Sequence, residues 1–297
     1  MFSVEKANYN LTPVKFNGDD PLGSHIKEPF PNYSFFWLIC GKPGSGKTSL
    51  LINSLVMKGD NRIYNKVFDK ITLVMPRNSV KSIVNNPFHD LPADQHFEKF
   101  TPAVVSQIAK IRDSFDDVKK DKPIDYTNVS ITSYVNKITE DSKKVKTDDK
   151  KISKKSRNKR QLLILDDVTA YLKDDPSLLI ELATNRRHFK LSIVLMVQFL
   201  RAVPLPVRSQ VTTLTVFKPA NEKETEIIKE EYINMKKELF NDLTRWVWET
   251  KHDFLMIDKD NSLYYKNLQK INFPTVEYNA KDKSKKSQES KDNQSIK

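Results

Sequence analysis

Gly41, Gly44 and Gly46, half of the six glycines in this chain, stand within the run Gly41-Lys42-Pro43-Gly44-Ser45-Gly46-Lys47-Thr48. The run matches G-x-x-x-x-G-K-[ST], a loop whose backbone N–H groups turn inward to cradle a polyphosphate. Glycine suits such a loop because a Cβ would block the ligand or the turn. Lys47 is placed to reach the β- and γ-phosphates, and the Thr48 hydroxyl to sit on the Mg²⁺ that bridges them. Pro43 has no N–H to give, so it belongs at the outer turn of the loop. The spacing therefore predicts a nucleoside-triphosphate site over 41–48. A glycine-rich turn that binds nothing would not need Lys-Thr at its end.

Further along, four apolar residues, Leu162 to Leu165, lead into Asp166-Asp167. A carboxylate at the tip of a buried strand can hold the metal of a bound nucleotide, which is the role expected of Asp166. Asp167 is placed to orient or deprotonate an attacking water, a task that suits hydrolysis more than phosphotransfer. Two acids at a strand-to-helix turn are common by themselves; their value comes from the loop upstream. Gln198 closes an otherwise apolar run, where an amide could touch both the γ-phosphate and the water, or could simply face solvent. Arg186, Arg187 and His188 precede that run. An arginine reaching a neighbour's nucleotide would neutralise charge on the phosphoryl oxygens, and Arg201 and Arg208 compete with Arg187 for this task. The five histidines have no metal-ligand spacing.

These residues need elements to hold them. Phe35 to Cys40 reads as a buried strand before the loop, and Thr48 to Leu55 as a helix after it. Further strands are expected at 70–75, 161–165, 192–198 and 211–217, with a short one within Phe97 to Phe100. Residues 77–112 otherwise alternate polar turns and apolar runs. Helical spacing is seen from Asp175 to Arg187 and over 221–248, and 254–258 with 262–265 reads as a hairpin. The fold expected is α/β: a mainly parallel sheet covered by helices on both faces, with a C-terminal helix and hairpin addition. Residues 1–33 form an N-terminal extension and 34–278 the ATPase domain. Within that domain, 113–160 is a Lys-rich insertion that is either a DNA-contacting arm or a solvated loop. A basic tail at 279–297 is expected to be disordered.

A net charge of +12 and a pI near 9.4 favour a polyanionic partner, nucleic acid before membrane surface, although the lysine-rich segments contribute part of that charge. Cys40 is the single cysteine, which excludes an intramolecular disulfide. The N-terminal residues lack a signal-peptide core, and no run is long enough to span a bilayer, so an intracellular protein without a membrane partner is expected.

The ordered set of 41–48, 162–167, Asn185-Arg186-Arg187-His188, the strand ending in Gln198, Pro204-Leu205-Pro206-Val207-Arg208 and Phe217-Lys218-Pro219 resembles the poxvirus-type genome-packaging ATPases of large DNA viruses and virophages, within the FtsK/HerA group of P-loop NTPases. The likeness spans about 34–265 without the insertion. It implies an extra strand between the loop strand and the Asp166 strand. It also implies a ring homo-oligomer, a pentamer or hexamer, that drives double-stranded DNA into a capsid with ATP and Mg²⁺. Capsid proteins are then partners, and the host cytoplasm (viral factory) and the virion are the expected locations. An arginine given in trans maps best onto Arg187. Asp167 departs from the pattern, since FtsK-like relatives usually carry Glu there, and its shorter arm needs a closer water. Two other functions fit the same loop: a nucleotide-gated DNA-binding or assembly switch, and a small-molecule kinase. Against the kinase, no arginine-rich lid or acceptor pocket is evident.

Overall fold

The strand that leads into the glycine loop, β1 (Phe36–Cys40), is buried along its whole length, and its side chains divide between two cores. Phe36, Leu38 and Cys40 enter one apolar cluster, while Trp37 and Ile39 enter the other. This is the two-residue period of a strand covered on both faces. β4 (Gln161–Asp166) and β5 (Leu191–Val197) divide in the same way, with Leu163, Leu165, Ile193 and Leu195 on the first side and Leu162, Ile164, Val194 and Met196 on the second. Each such fully buried large side chain contributes about 1.5–3 kcal/mol. Trp37 hides a polar atom as well, and its indole N–H donates to Thr215 Oγ1 at 2.8 Å.

The computed structural model describes residues 20–84, 86–115, 159–233 and 235–273. Among them lies a nine-stranded sheet of order β3-β2-β4-β5-β1-β6-β7-β8-β9. Its remaining strands are β2 (Lys70–Val74), β3 (His96–Phe97), β6 (Thr213–Phe217), β7 (Phe254–Asp258), β8 (Leu263–Lys266) and β9 (Gln269–Lys270). From β3 to β6 neighbours run parallel; β7, β8 and β9 are added as an antiparallel meander. β5 therefore lies between β1 and β4, which is the extra strand that the family resemblance implied.

Helix α1 (Lys47–Val56) sends Leu51 and Leu55 into the second cluster, beside Ile26, Phe30 and Tyr64. The first cluster receives α3 (Pro102–Phe115), α5 (Ser177–Asn185), α7 (Glu222–Tyr232) and α8 (Lys237–Val247) through Ile108, Leu182, Ile228 and Phe240. Short helices α2 (Arg77–Lys81), α4 (Thr169–Asp174) and α6 (Leu205–Ser209) connect them.

Several sequence expectations need correction. α3 replaces the expected alternation of turns over 102–112 only. Pro102 is tolerated as its first residue because no N–H is needed there, and Val104, Val105 and Ile108 then form its buried stripe. The expected 192–198 strand ends at Val197, leaving Gln198 just beyond it, and the 211–217 strand starts at Thr213. Arg160 counted toward the basic run, yet it is buried, donating through Nη2 to Asp20 O at 2.8 Å and through its backbone N–H to Asp69 Oδ2 at 3.0 Å. Residues 116–158, the greater part of the Lys-rich insertion, lie outside the described residues, as do 1–19 of the extension and the tail at 279–297. The described part of the extension packs inward through Ile26 and Phe30.

Candidate nucleotide site

Parallel strands deliver their C-terminal ends to one edge, and that edge gathers the predicted chemistry. β1 runs into Gly41, β4 ends on Asp166, β5 is followed by Gln198, and β6 ends on Phe217. The loop is tied to its neighbour by Gly41 N–H donating to Val197 O at 3.1 Å. Gly44 and Gly46 have left-handed φ of 71° and 114°, the conformation for which glycine is needed. Gly41 is needed for space instead: a Cβ there would lie 2.6 Å from Ser45 Oγ and 2.8 Å from Phe217 Cβ. Ser45 is buried, and its hydroxyl has no partner within the protein, an unmet polar atom inside the cradle. Lys42, Pro43 and Gly44 are exposed, in keeping with Pro43 at the outer turn.

Lys47, the first residue of α1, folds its ammonium back onto the loop. Nζ donates to Gly41 O at 2.6 Å and to Lys42 O at 3.2 Å. Burial lowers its pKa, and the charges of Asp166 and Asp167 act against that shift. Asp166 is the counterpart: burial first, and the like charge of Asp167 second, push it up to about 6, with Lys47 opposing. Asp167 is exposed and has a left-handed φ of 55°, a backbone state that non-glycine residues adopt sparingly. Thr48 is partly buried in the first turn of α1. Among the described residues, no group of three His, Cys, Asp or Glu side chains could hold a metal ion by itself. A site with one carboxylate and one hydroxyl fits an ion that arrives on nucleotide oxygens, as Mg²⁺ does.

Gln198 is exposed and lines a small cavity with Gly41, Lys42, Leu200, Lys218 and Glu224, so it faces the loop across the edge. Arg187 lies elsewhere. It precedes β5 and lines a cavity of about 490 Å³ at the opposite, N-terminal edge, with Ser34, Phe35, Thr212, Asp258 and Asp260. It cannot meet the loop of its own chain. Its neighbour Arg186 is held by Ser34 O at 3.1 Å and Ala183 O at 2.8 Å, whereas Arg187 is exposed. Arg208 is engaged within the chain: Nε and Nη2 donate to Glu231 at 2.8 and 2.6 Å, and Nη1 to Val203 O at 2.5 Å. That geometry speaks against a role for Arg208 in a neighbouring subunit.

His252, which has no metal-ligand spacing in the sequence, lies against the loop. Its Nδ1 lies 3.0 Å from Ser45 O, and because a carbonyl only accepts, Nδ1 must carry the proton. The contact joins residues far apart in the chain, so no local pattern could have announced it.

The family model described as Poxvirus A32 protein matches residues 115–293, more than half of the chain. The chain belongs to the poxvirus A32 family. The match takes in Asp166, Asp167, Arg187 and Gln198 of this A32-family chain, while the loop at 41–48 lies upstream of it. No curated protein matches the chain. Among solved structures, B204, the DNA-packaging ATPase from Sulfolobus turreted icosahedral virus, is similar at 15% identity and a TM-score of 0.43, over 80% of this chain and 98% of its own. B204 from Sulfolobus turreted icosahedral virus 2 with AMPPCP is similar at 14% identity and 0.43, over 78% and 96%. The pCW3 conjugation coupling protein TcpA with ATPγS is similar at 14% and 0.45, over 92% and 76%. Among the described residues, no helix of the A32-family chain is long and apolar enough to cross a membrane.

Proposed function

We propose that this chain is an ATP-hydrolysing motor that translocates double-stranded DNA during viral genome packaging. The observation that carries the reading is the convergence of the 41–48 loop, Asp166-Asp167 and Gln198 on one sheet edge, with β5 between the loop strand and the Asp166 strand. Membership of the poxvirus A32 family and the net charge of +12 support it.

In this reading the β-phosphate is held by loop N–H groups other than those of Pro43, which has none, and Gly41, whose N–H is bonded to Val197 O, and Lys47 exchanges the Gly41 and Lys42 carbonyls for phosphate oxygens. Thr48 and Asp166 would hold Mg²⁺, whose chemistry here is to neutralise charge across the β- and γ-oxygens. Asp167 accepts a proton from the attacking water, and the Gln198 amide orients that water against the γ-phosphate. Arg187, placed on the far edge, suits a neighbouring subunit's site, which makes a closed ring of copies the natural working form. Phosphate contacts from lysines and arginines move DNA without reading bases.

The test is the ATPase rate of an oligomeric preparation with and without double-stranded DNA, over a range of salt. Duplexes of unrelated sequence should stimulate equally, and the stimulation should fall steeply as salt rises. Absence of stimulation would remove the motor reading.

A further inference from the structure

Asn221-Glu222-Lys223-Glu224 opens α7 in the pattern of a capping box, in which an acid at the third helical position reaches back to the cap N–H. Only half of the box forms. Asn221 Oδ1 accepts from Glu224 N–H at 3.1 Å, but the Glu224 carboxylate turns away. Its Oε2 accepts from Leu200 N–H at 2.6 Å, in the turn Leu200–Ala202 that follows β5. Glu224 is 2% exposed, its Oε1 accepts no hydrogen bond, and Arg201 Nε stands 3.5 Å from that oxygen. A buried carboxylate with one oxygen left to a 3.5 Å ion contact and no hydrogen bond is a poor route to stability. What it does supply is a fixed position for the backbone it grips.

The gripped backbone matters because Gln198 lies two residues before Leu200, and Glu224 lines the same small cavity as Gln198, Gly41 and Lys42. The far end of the turn is held from the same helix. Glu231 binds Arg208 through both oxygens, and Arg208 Nη1 donates to Val203 O and, at 3.3 Å, to Leu200 O. Two acids of α7 thus clamp the segment between β5 and α6, one directly and one through an arginine.

We infer that Glu224 is a positioning residue for hydrolysis: through Leu200 N–H it sets where the Gln198 amide stands relative to the phosphate loop. The inference rests on the reading of Gln198 as the residue that orients the attacking water. Displacement of a positioned group by about 1 Å can cost on the order of 10²-fold in rate while leaving ground-state binding intact.

The test uses the full chain, with kcat from ATP turnover and affinity from a fluorescent non-hydrolysable ATP analogue. Glu224→Ala should lower kcat on the order of 10²-fold with the analogue's affinity retained. Glu224→Asp keeps the charge but draws it back by one methylene, so it should lose turnover in the same way, and it decides the question if the alanine variant does not fold. Glu224→Gln keeps an acceptor within reach of Leu200 and should recover most of the turnover. Adding Glu224→Ala to Gln198→Ala should cost nothing further, because both act on one group. Normal kcat in the alanine and aspartate variants, losses that multiply in the double variant, or affinity that falls in step with kcat would each overturn the inference. If Gln198→Ala is impaired and Glu224→Asp is normal, only the positioning role fails. Normal turnover in Gln198→Ala removes the reading of Gln198 and the inference together.

Discussion

Lys47 Nζ lies 2.6 Å from the carbonyl oxygen of Gly41, so the cation of the phosphate loop occupies the concavity of its own loop. It is half-buried there, and burial works against its charge, while Asp166 and Asp167 work for it. A triphosphate offers that ammonium better acceptors than two neutral carbonyls. The ammonium is an ionised donor in both settings, and what a phosphate adds is an ionised acceptor opposite it.

Lys47→Ala should therefore weaken ATP binding by roughly 10- to 150-fold, the equivalent of about 1.5–3 kcal/mol for a hydrogen bond to a charged group. Hydrolysis should be lost with it. Equilibrium titration with a fluorescent ATP analogue checks the first part, and phosphate release at saturating ATP the second. Binding equal to the unaltered chain would mean that the ammonium never leaves the Gly41 carbonyl.

Asp166 carries a pH dependence whose sign follows from its raised pKa of about 6. The folded state favours the protonated form, so the stability this group contributes is full below its unfolded value of about 3.9 and is lost as pH rises through about 6. Above that, holding the charge costs at most about 3 kcal/mol. Asp166→Asn should raise the thermal midpoint of the nucleotide-free protein at pH 8, by about 2–4 °C for each kcal/mol relieved, and by only about a third as much at pH 4.5. Turnover should nevertheless be lost, since an amide is a poor ligand for a divalent ion. A midpoint that rises equally at both pH values would refute the burial argument.

Much of this was legible from the residues, for identifiable reasons. The strands β1, β4 and β5 announced themselves because a doubly covered parallel strand is a short apolar run, and the loop because its glycines have no other use in a glycine-poor chain. The boundary at Gln198 was missed by one residue, since an amide can end a strand or begin a turn with the same neighbours. Helix α3 was hidden by its polar residues: Lys110 is exposed and imitates a loop, while Arg112 is buried and donates through Nε to His188 O at 2.9 Å, a contact that no local pattern announces. Contacts such as His252 with Ser45, Glu224 with Leu200 and Arg208 with Glu231 join segments that only the sheet order brings together. No period or spacing encodes such pairs.

The three loop glycines should not respond alike to substitution. Gly41→Ala places a Cβ 2.6 Å from Ser45 Oγ and 2.8 Å from Phe217 Cβ, both in a packed setting. Overpacking of that kind costs roughly 1–3 kcal/mol and should also displace the loop. Gly44→Ala meets nothing within 4 Å, and its penalty comes only from φ of +71°, about 1–2 kcal/mol. Thermal midpoints and ATP affinities of the two variants separate these causes: Gly41→Ala should lose affinity out of proportion to its stability loss, and Gly44→Ala should not. Equal affinity losses would mean that the space beside Gly41 is not what keeps the loop in its binding shape.

Arg187 and the phosphate loop stand at opposite edges of one sheet, so a single copy cannot bring them together. If the arginine completes a neighbour's site, Arg187→Ala should keep ATP affinity and lose hydrolysis by about 10³-fold or more in the oligomer. Subunit mixing gives a sharper check. Lys47→Ala chains lack a competent loop but retain the arginine; Arg187→Ala chains lack the arginine but retain the loop. Each preparation alone should be inactive, and co-assembled preparations should regain activity where an Arg187→Ala loop meets a Lys47→Ala neighbour. Arg208→Ala makes the contrast: it breaks the Glu231 pair within one chain, so mixing with Lys47→Ala chains should restore nothing to its own loop. Full turnover by Arg187→Ala alone would exclude the trans role and leave Arg201, exposed on the nucleotide edge, as the arginine to examine.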